Sequence, residues 1–145
     1  MSVFSAMNIS ATGMTAQRTR LDVISQNIAN VNTTRDSDGN AYKRKSVIFE
    51  EKTYVSFDDA LINATGNLGK GVKISEIFED SSEGRMVYDP SHPDADEKGY
   101  VTYPNVNTVT EMTDMIDASR SYEANVTAFN ASKNMELKAL DIGKN

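Results

Sequence analysis

The segment 106–142 constrains this chain most, because its apolar residues recur at helical spacing for far longer than an ordinary helix runs. Met112, Met115, Ile116, Ser119, Tyr122, Val126, Phe129, Lys133 and Leu140 follow one another at helical intervals, which places them along one face. Thr108-Val109-Thr110-Glu111 fits a capping box: Thr108 caps the start and Glu111 reaches back to it. Gly143 is the matching stop, with Lys138 and Lys144 near the negative end of the helix dipole. At 1.5 Å per residue this helix is about 50 Å long, well beyond the usual length of about 11–12 residues. It needs a partner along its length.

The partner within the chain is residues 1–32. Heptad spacing puts Met7, Met14, Leu21 and Ile28 at one core position and Phe4, Ala11, Arg18 and Ser25 at the other, with Ile24 and Val31 widening the stripe. The seam is imperfect. Arg18 and Ser25 are poor core residues, and Gly13 costs roughly 1 kcal/mol of helix propensity. Asn30-Val31-Asn32-Thr33-Thr34 is a credible stop, since Asn tolerates the left-handed conformation that closes helices.

Between these helices, residues 33–105 read as short strands and turns. Val47, Phe49, Thr53, Val55 and Phe57 lie at even spacings. Residues 71–78 form a second candidate strand, and 85–88 and 100–103 two shorter ones. Turn clusters at 36–40, 66–69 and 89–93 separate them. The domains expected are therefore 1–32, 33–105 and 106–145, with the first and last forming one helical domain.

Composition limits what this chain does. Leu, Ile, Val and Phe make up about a fifth of it, close to the ~20% level where chains stop folding alone, so the core is small or completed by a partner. There is no cysteine and a single histidine, His92. That removes disulfides, thiolate zinc sites, a cysteine nucleophile and multi-histidine metal centres. No apolar run approaches the ~20 residues that span a bilayer, and the N-terminal stretch does not read as a cleavable secretion signal. The net charge of −6 argues against broad binding to nucleic acid.

Candidate chemistry is thin. Asp36, Asp38 and Asn40 begin like a calcium loop, but Ala41 and Val47 stand where an EF-hand needs Gly and Glu, so a turn is expected. Asp89, Asp94, Asp96 and Glu97 read as a solvated acidic loop. Residues 66–71 lack the spacing of a phosphate loop. Tyr42-Lys43-Arg44-Lys45 is the one dense basic run, read as an exposed strand edge or a contact for an acidic neighbour. Nucleophilic catalysis by Ser or Thr lacks a base, because His92 sits in a turn between prolines. No enzyme and no cofactor is expected. The methionines on or beside the stripes read as a surface that packs against several non-identical neighbours, because two helices alone leave apolar area uncovered.

Ile24-Ser25-Gln26-Asn27-Ile28-Ala29-Asn30-Val31-Asn32-Thr33 resembles the N-terminal signature of the bacterial flagellar rod and hook family. The later runs 93–107 and 118–125, and Leu137-Lys138-Ala139-Leu140-Asp141-Ile142-Gly143, resemble its proximal rod members. The acidic turn 35–40 and the segment 58–84 match least clearly.

This resemblance implies a mainly α fold with a small β-rich insert. The N- and C-terminal helices pair as an antiparallel coiled coil, with an irregular β domain between them. It implies a structural subunit of the flagellar drive shaft, exported through the type III apparatus without a cleaved signal. Implied partners are other proximal rod proteins, the rod–membrane-ring adaptor protein, further copies of itself, and indirectly the distal rod protein; neither nucleic acid nor direct membrane insertion is implied. The expected assembly interface is Phe4, Met7, Met14, Leu21, Ile24, Ile28, Val31, Met112, Met115, Ile116, Tyr122, Val126, Phe129 and Leu140. Within the motif Asn27, Ile28, Ala29, Asn30, Asn32 and Thr33, the asparagines have two readings: a helix stop, or a hydrogen-bond set fixing register between subunits. The rival function is a cytoplasmic helical chaperone or adaptor for exported subunits.

Overall fold

A computed structural model of the chain describes residues 3–36, 39–52 and 71–143. Helix α1 spans Val3–Ala29 and helix α2 spans Thr108–Ile142. Between them come β1 (Lys45–Glu51), β2 (Val72–Glu79), β3 (Arg85–Tyr88) and β4 (Tyr100–Tyr103). The strands form two two-stranded sheets, β1–β2 and β3–β4. The second is antiparallel, with Arg85 opposite Tyr103 and Tyr88 opposite Tyr100. The strands expected at 71–78, 85–88 and 100–103 are present. Thr53, Val55, Phe57 and the 66–69 turn lie outside the described residues, as does the 58–70 part of the segment 58–84.

The chain divides into two compact units. One holds the described parts of Met1–Thr19, Phe49–Ser75 and Ala118–Asn145. Its interior is made of small residues: Ser10, Ala16, Ala118 and Ser132 are buried. The backbone at Gly13 lies so close to α2 that an added Cβ would come 2.7 Å from Asn125 Oδ1. Thr12 ties α1 to β2. Its hydroxyl donates to Ile9 O at 2.7 Å and accepts from Val72 N at 3.2 Å. Gly71, at φ +79°, leaves no room there for a side chain.

The other unit is Arg20–Ile48 with Glu76–Asp117. Its buried residues include Val23, Ile24, Asn27, Val101 and Glu111. Here Arg20 pairs with Asp114 and Asn27 with Glu111, so numbers rise along α1 while they fall along α2.

The seam sits one residue away from the expected heptad. In α2 the buried or half-buried residues include Glu111, Ala118, Asn125 and Ser132, seven apart, flanked by Met115, Tyr122, Val126, Phe129 and Glu136. In α1 they include Gly13, Ala16, Arg20, Val23 and Asn27. Met7, Met14, Leu21 and Ile28 flank this line half-buried, whereas Phe4, Arg18 and Ser25 are exposed. The reason is steric. Helix separation depends on the side chains at the contact, and Gly13 and Ala16 permit an approach that a methionine there would block.

Both helix ends differ in detail from expectation. Asn107, not Thr108, caps α2: its Oδ1 accepts from Val109 N at 3.0 Å and Thr110 N at 3.3 Å. Asn is at least as good a cap as Thr, and Glu111 is released for another role. At the end of α1 no asparagine among the described residues is left-handed. Asn30 Nδ2 instead donates to Gln26 O at 2.9 Å, and Asn30 Oδ1 accepts from Thr33 Oγ1 at 3.1 Å.

Candidate functional site

A polar hub lies inside the second unit, built from three separate segments. Asn27 reaches it from the last turns of α1, Tyr42, Arg44 and Lys45 from the lead into β1, and Glu111 and Asp114 from the first turns of α2. Asn27 is fully buried and uses all its amide capacity. Its Nδ2 donates to Lys45 O at 2.8 Å and to Glu111 Oε2 at 2.9 Å. Its Oδ1 accepts from Lys45 N and Tyr42 OH, each at 2.9 Å. The side-chain amide thus serves Lys45 as a neighbouring strand would, taking its N–H and feeding its C=O. Asn105 repeats the device, accepting from Arg44 N at 2.8 Å and donating to Asp80 O at 3.2 Å.

Glu111 is 0% exposed. A buried carboxylate survives only when paired and hydrogen-bonded. Arg44 Nε supplies the charge at 2.6 Å and Asn27 the second donor. Arg44 Nη2 also lies 3.5 Å from Asp114 Oδ2, and Arg20 holds the other oxygen of Asp114 at 3.2 Å. Burial first, then the nearby carboxylates of Glu111 and Glu79, push the Tyr42 phenol above its ordinary pKa. It therefore remains a donor to Asn27 at neutral pH. Nothing in the hub is poised for proton transfer to a substrate; its groups are spent on one another.

Within the asparagine motif, Asn27 spends its amide inside its own chain, Asn30 bonds within the last turn of α1 and to Thr33, and Asn32 is exposed. Sequence reasoning missed Arg44 and Tyr42 as internal anchors. A strand's period of two was the available signal, since it sends 42 and 44 to one side and leaves Lys43 exposed.

The large apolar side chains lie mostly outside. Val109 (74% exposed), Met112, Ile116, Met135, Leu137, Leu140 and Ile142 (77%) are open on α2, and Phe4 on α1. Of the expected interface residues, Ile24 is buried, and Met7, Met14, Leu21, Ile28, Val31, Met115, Tyr122, Val126 and Phe129 are half-buried. At the expected 36–40 turn Asp36 N donates to Asn40 O at 2.8 Å; residues 37 and 38 lie outside the described residues. Among the described residues no group of three or more acidic, histidine or cysteine side chains is arranged to hold a metal ion. None of the described helices is long and apolar enough to cross a membrane.

Residues 7–35 match the family described as "Flagella basal body rod protein", and residues 97–142 match "Flagellar basal body rod FlgEFG protein C-terminal". The flagellar basal-body rod protein FlgC of Bacillus subtilis is 48% identical, covering 99% of this chain and 100% of its own. That of Borreliella burgdorferi is also 48% identical, covering 98% of each. The FlgC of Escherichia coli O157:H7 is 38% identical over 99% of this chain and all of its own. The chain belongs to the FlgC family of flagellar basal-body rod proteins.

The family assignment gives the hub a context. Asn27 lies in the first matched segment and Glu111 in the second. Arg44, between the two, is the cation that pairs with both Glu111 and Asp114 of α2. In this FlgC-family chain the joint between the two rod-protein segments is therefore made by ionic and amide hydrogen bonds.

Proposed function

We propose that this chain is a structural subunit of the proximal rod of the bacterial flagellar basal body. Its α1 and α2 form an antiparallel coiled coil from residues 1–32 and 106–145, and residues 33–105 form a β-rich domain beside it. The observation that carries the reading is an inversion of ordinary helix packing. Small and polar residues such as Ser10, Ala16, Asn27, Glu111, Ala118 and Ser132 supply most of the helices' buried set, while Phe4, Val109, Met112, Ile116, Leu137, Leu140 and Ile142 are exposed. A monomer gains nothing from that surface, but a subunit surrounded by others buries it. Repeated heterologous contacts of this kind do not close on themselves and generate a helical tube.

The neighbours this implies are other proximal rod proteins, the membrane-ring adaptor, further copies of the chain and, indirectly, the distal rod protein. Export through the flagellar type III apparatus fits a chain whose buried apolar set is small and whose helices order on docking. The role is structural and not enzymatic. Mass spectrometry of detergent- and alkali-extracted basal bodies tests this. Recovery of the chain with the rod, at several copies per particle, is expected. Abundance in the cytosol with absence from the particles would overturn the rod role in favour of an export chaperone.

A further inference from the structure

The β3–β4 hairpin carries an outer face that its own fold does not use. Register puts Met86, Tyr88, Tyr100 and Thr102 on one side and Val87 and Val101 on the other. Val101 is fully buried, so the valine side is the inner one. A hairpin with one face inward ordinarily turns polar side chains outward. Here Met86 is 65% exposed, Tyr88 64% and Tyr100 43%. The two rings meet edge to face with centroids 5.3 Å apart. Tyr88 is also held from beneath. A Cβ at Gly99, where φ is +81°, would come 3.0 Å from Tyr88 Cε2 and 3.1 Å from Pro90 Cβ. The platform is thus formed in advance, which lowers the ordering cost of binding.

The surroundings select the occupant by charge. Glu83 precedes β3, Asp89 follows it, and Asp96 and Glu97 precede β4. None of these four carboxylates makes an ion pair among the described residues. Lys98, in the same turn, offsets only part of this charge. Arg85 belongs to the inner side, with its guanidinium 5.5 Å from the Tyr103 ring. On one side the face opens into a groove of about 850 Å³ whose lining includes Met86, Tyr100, Glu83 and Asp96. Arg35 and Lys43 also line the groove; Arg35 is already paired with Asp94 at 3.6 Å.

We infer that this face docks an extended polypeptide segment of a partner protein that presents two or more lysine or arginine side chains. Alternate side chains of an extended segment are about 7 Å apart, so two of them straddle rings whose centroids lie 5.3 Å apart. Each cation lies over a tyrosine face, its aliphatic stem rests on Met86 or the ring edge, and its end meets the carboxylates. This inference does not depend on the rod assignment.

The test uses the full chain and the synthetic peptide acetyl-Gly-Lys-Ala-Arg-Ala-Lys-Gly-amide, with glutamates in place of the basic residues as control. NMR of the tyrosine rings reads binding directly, and the Tyr88–Tyr100 ring contact reports that the hairpin is formed. The expected result is cross-relaxation between Lys or Arg side-chain methylenes and both rings, with no response to the acidic control. Y88A and Y100A each raise the dissociation constant about tenfold, whereas Tyr88→Phe leaves it unchanged. Three outcomes overturn the inference: no Tyr88–Tyr100 contact in the free chain, binding of the basic peptide that ignores the alanine variants, or equal binding of the acidic control.

Discussion

Replacing Arg44 with methionine removes the cation from Glu111 and keeps most of the side-chain volume. Breaking a buried ion pair from one side costs about 3–5 kcal/mol, because the remaining charge is left without compensation. The lower end applies here. Arg44 keeps 27% side-chain exposure, and Asn27 still donates to Glu111. About 3 kcal/mol corresponds to roughly two orders of magnitude in an equilibrium constant. On the proposed reading the hub does its work in the assembled rod, so the assay is competitive incorporation. Wild-type and variant chains of distinguishable mass are co-expressed, and their ratio in purified basal bodies is read by mass spectrometry. R44M is expected at about a hundredth of the wild-type level. The double variant R44M/E111M leaves no charge stranded at the buried position, and Asp114 keeps Arg20, so it is expected to recover most of that loss. Equal incorporation of R44M, or a double variant no better than the single, would refute the reasoning.

Substituting Asp for both Met112 and Ile116, which are exposed, should leave the helix content of the chain unchanged by circular dichroism yet exclude it from basal bodies. Gly84→Ala should dismantle the β3–β4 hairpin, because the new Cβ would lie 1.9 Å from the Tyr103 carbonyl oxygen, a backbone atom with nowhere to go; loss of the Tyr88–Tyr100 ring contact in NMR spectra reports it. The Ser91 hydroxyl, then its amide, holds the Asp89 carboxyl below the usual range. A depressed carboxylate stabilises the fold above its unfolded pKa and loses that contribution as pH falls through its folded value. Ser91→Ala should therefore move the Asp89 titration upward, as followed by carboxyl-carbon NMR.

The periodic elements were legible from residue order because they follow local rules. A helix beginning at Thr108 and strands at 85–88 and 100–103 come from spacing and turn residues, and they stand where those signals put them. The details that failed are those in which two local signals competed or a distant partner decided. Thr108 and Asn107 are both good caps, and the winner followed from where Glu111 had to go. Glu111 looks like half of a capping box until Arg44, distant in sequence, is brought beside it. The heptad was placed on the largest apolar residues, whereas the helices approach on Gly13 and Ala16. Hydrophobic pattern finds a face; it does not distinguish the line a chain buries itself from the flank it leaves exposed.

The hub has a mechanical consequence. Apolar surfaces attract without regard to direction, so two helices held by them slide past one another at little cost. Hydrogen bonds weaken steeply when tilted or stretched. At Asn27, Arg44 and Glu111 the last turns of α1, the first turns of α2 and the lead into β1 meet in such bonds. A load applied along either helix is resisted there in shear, at a fixed pin rather than along a lubricated seam.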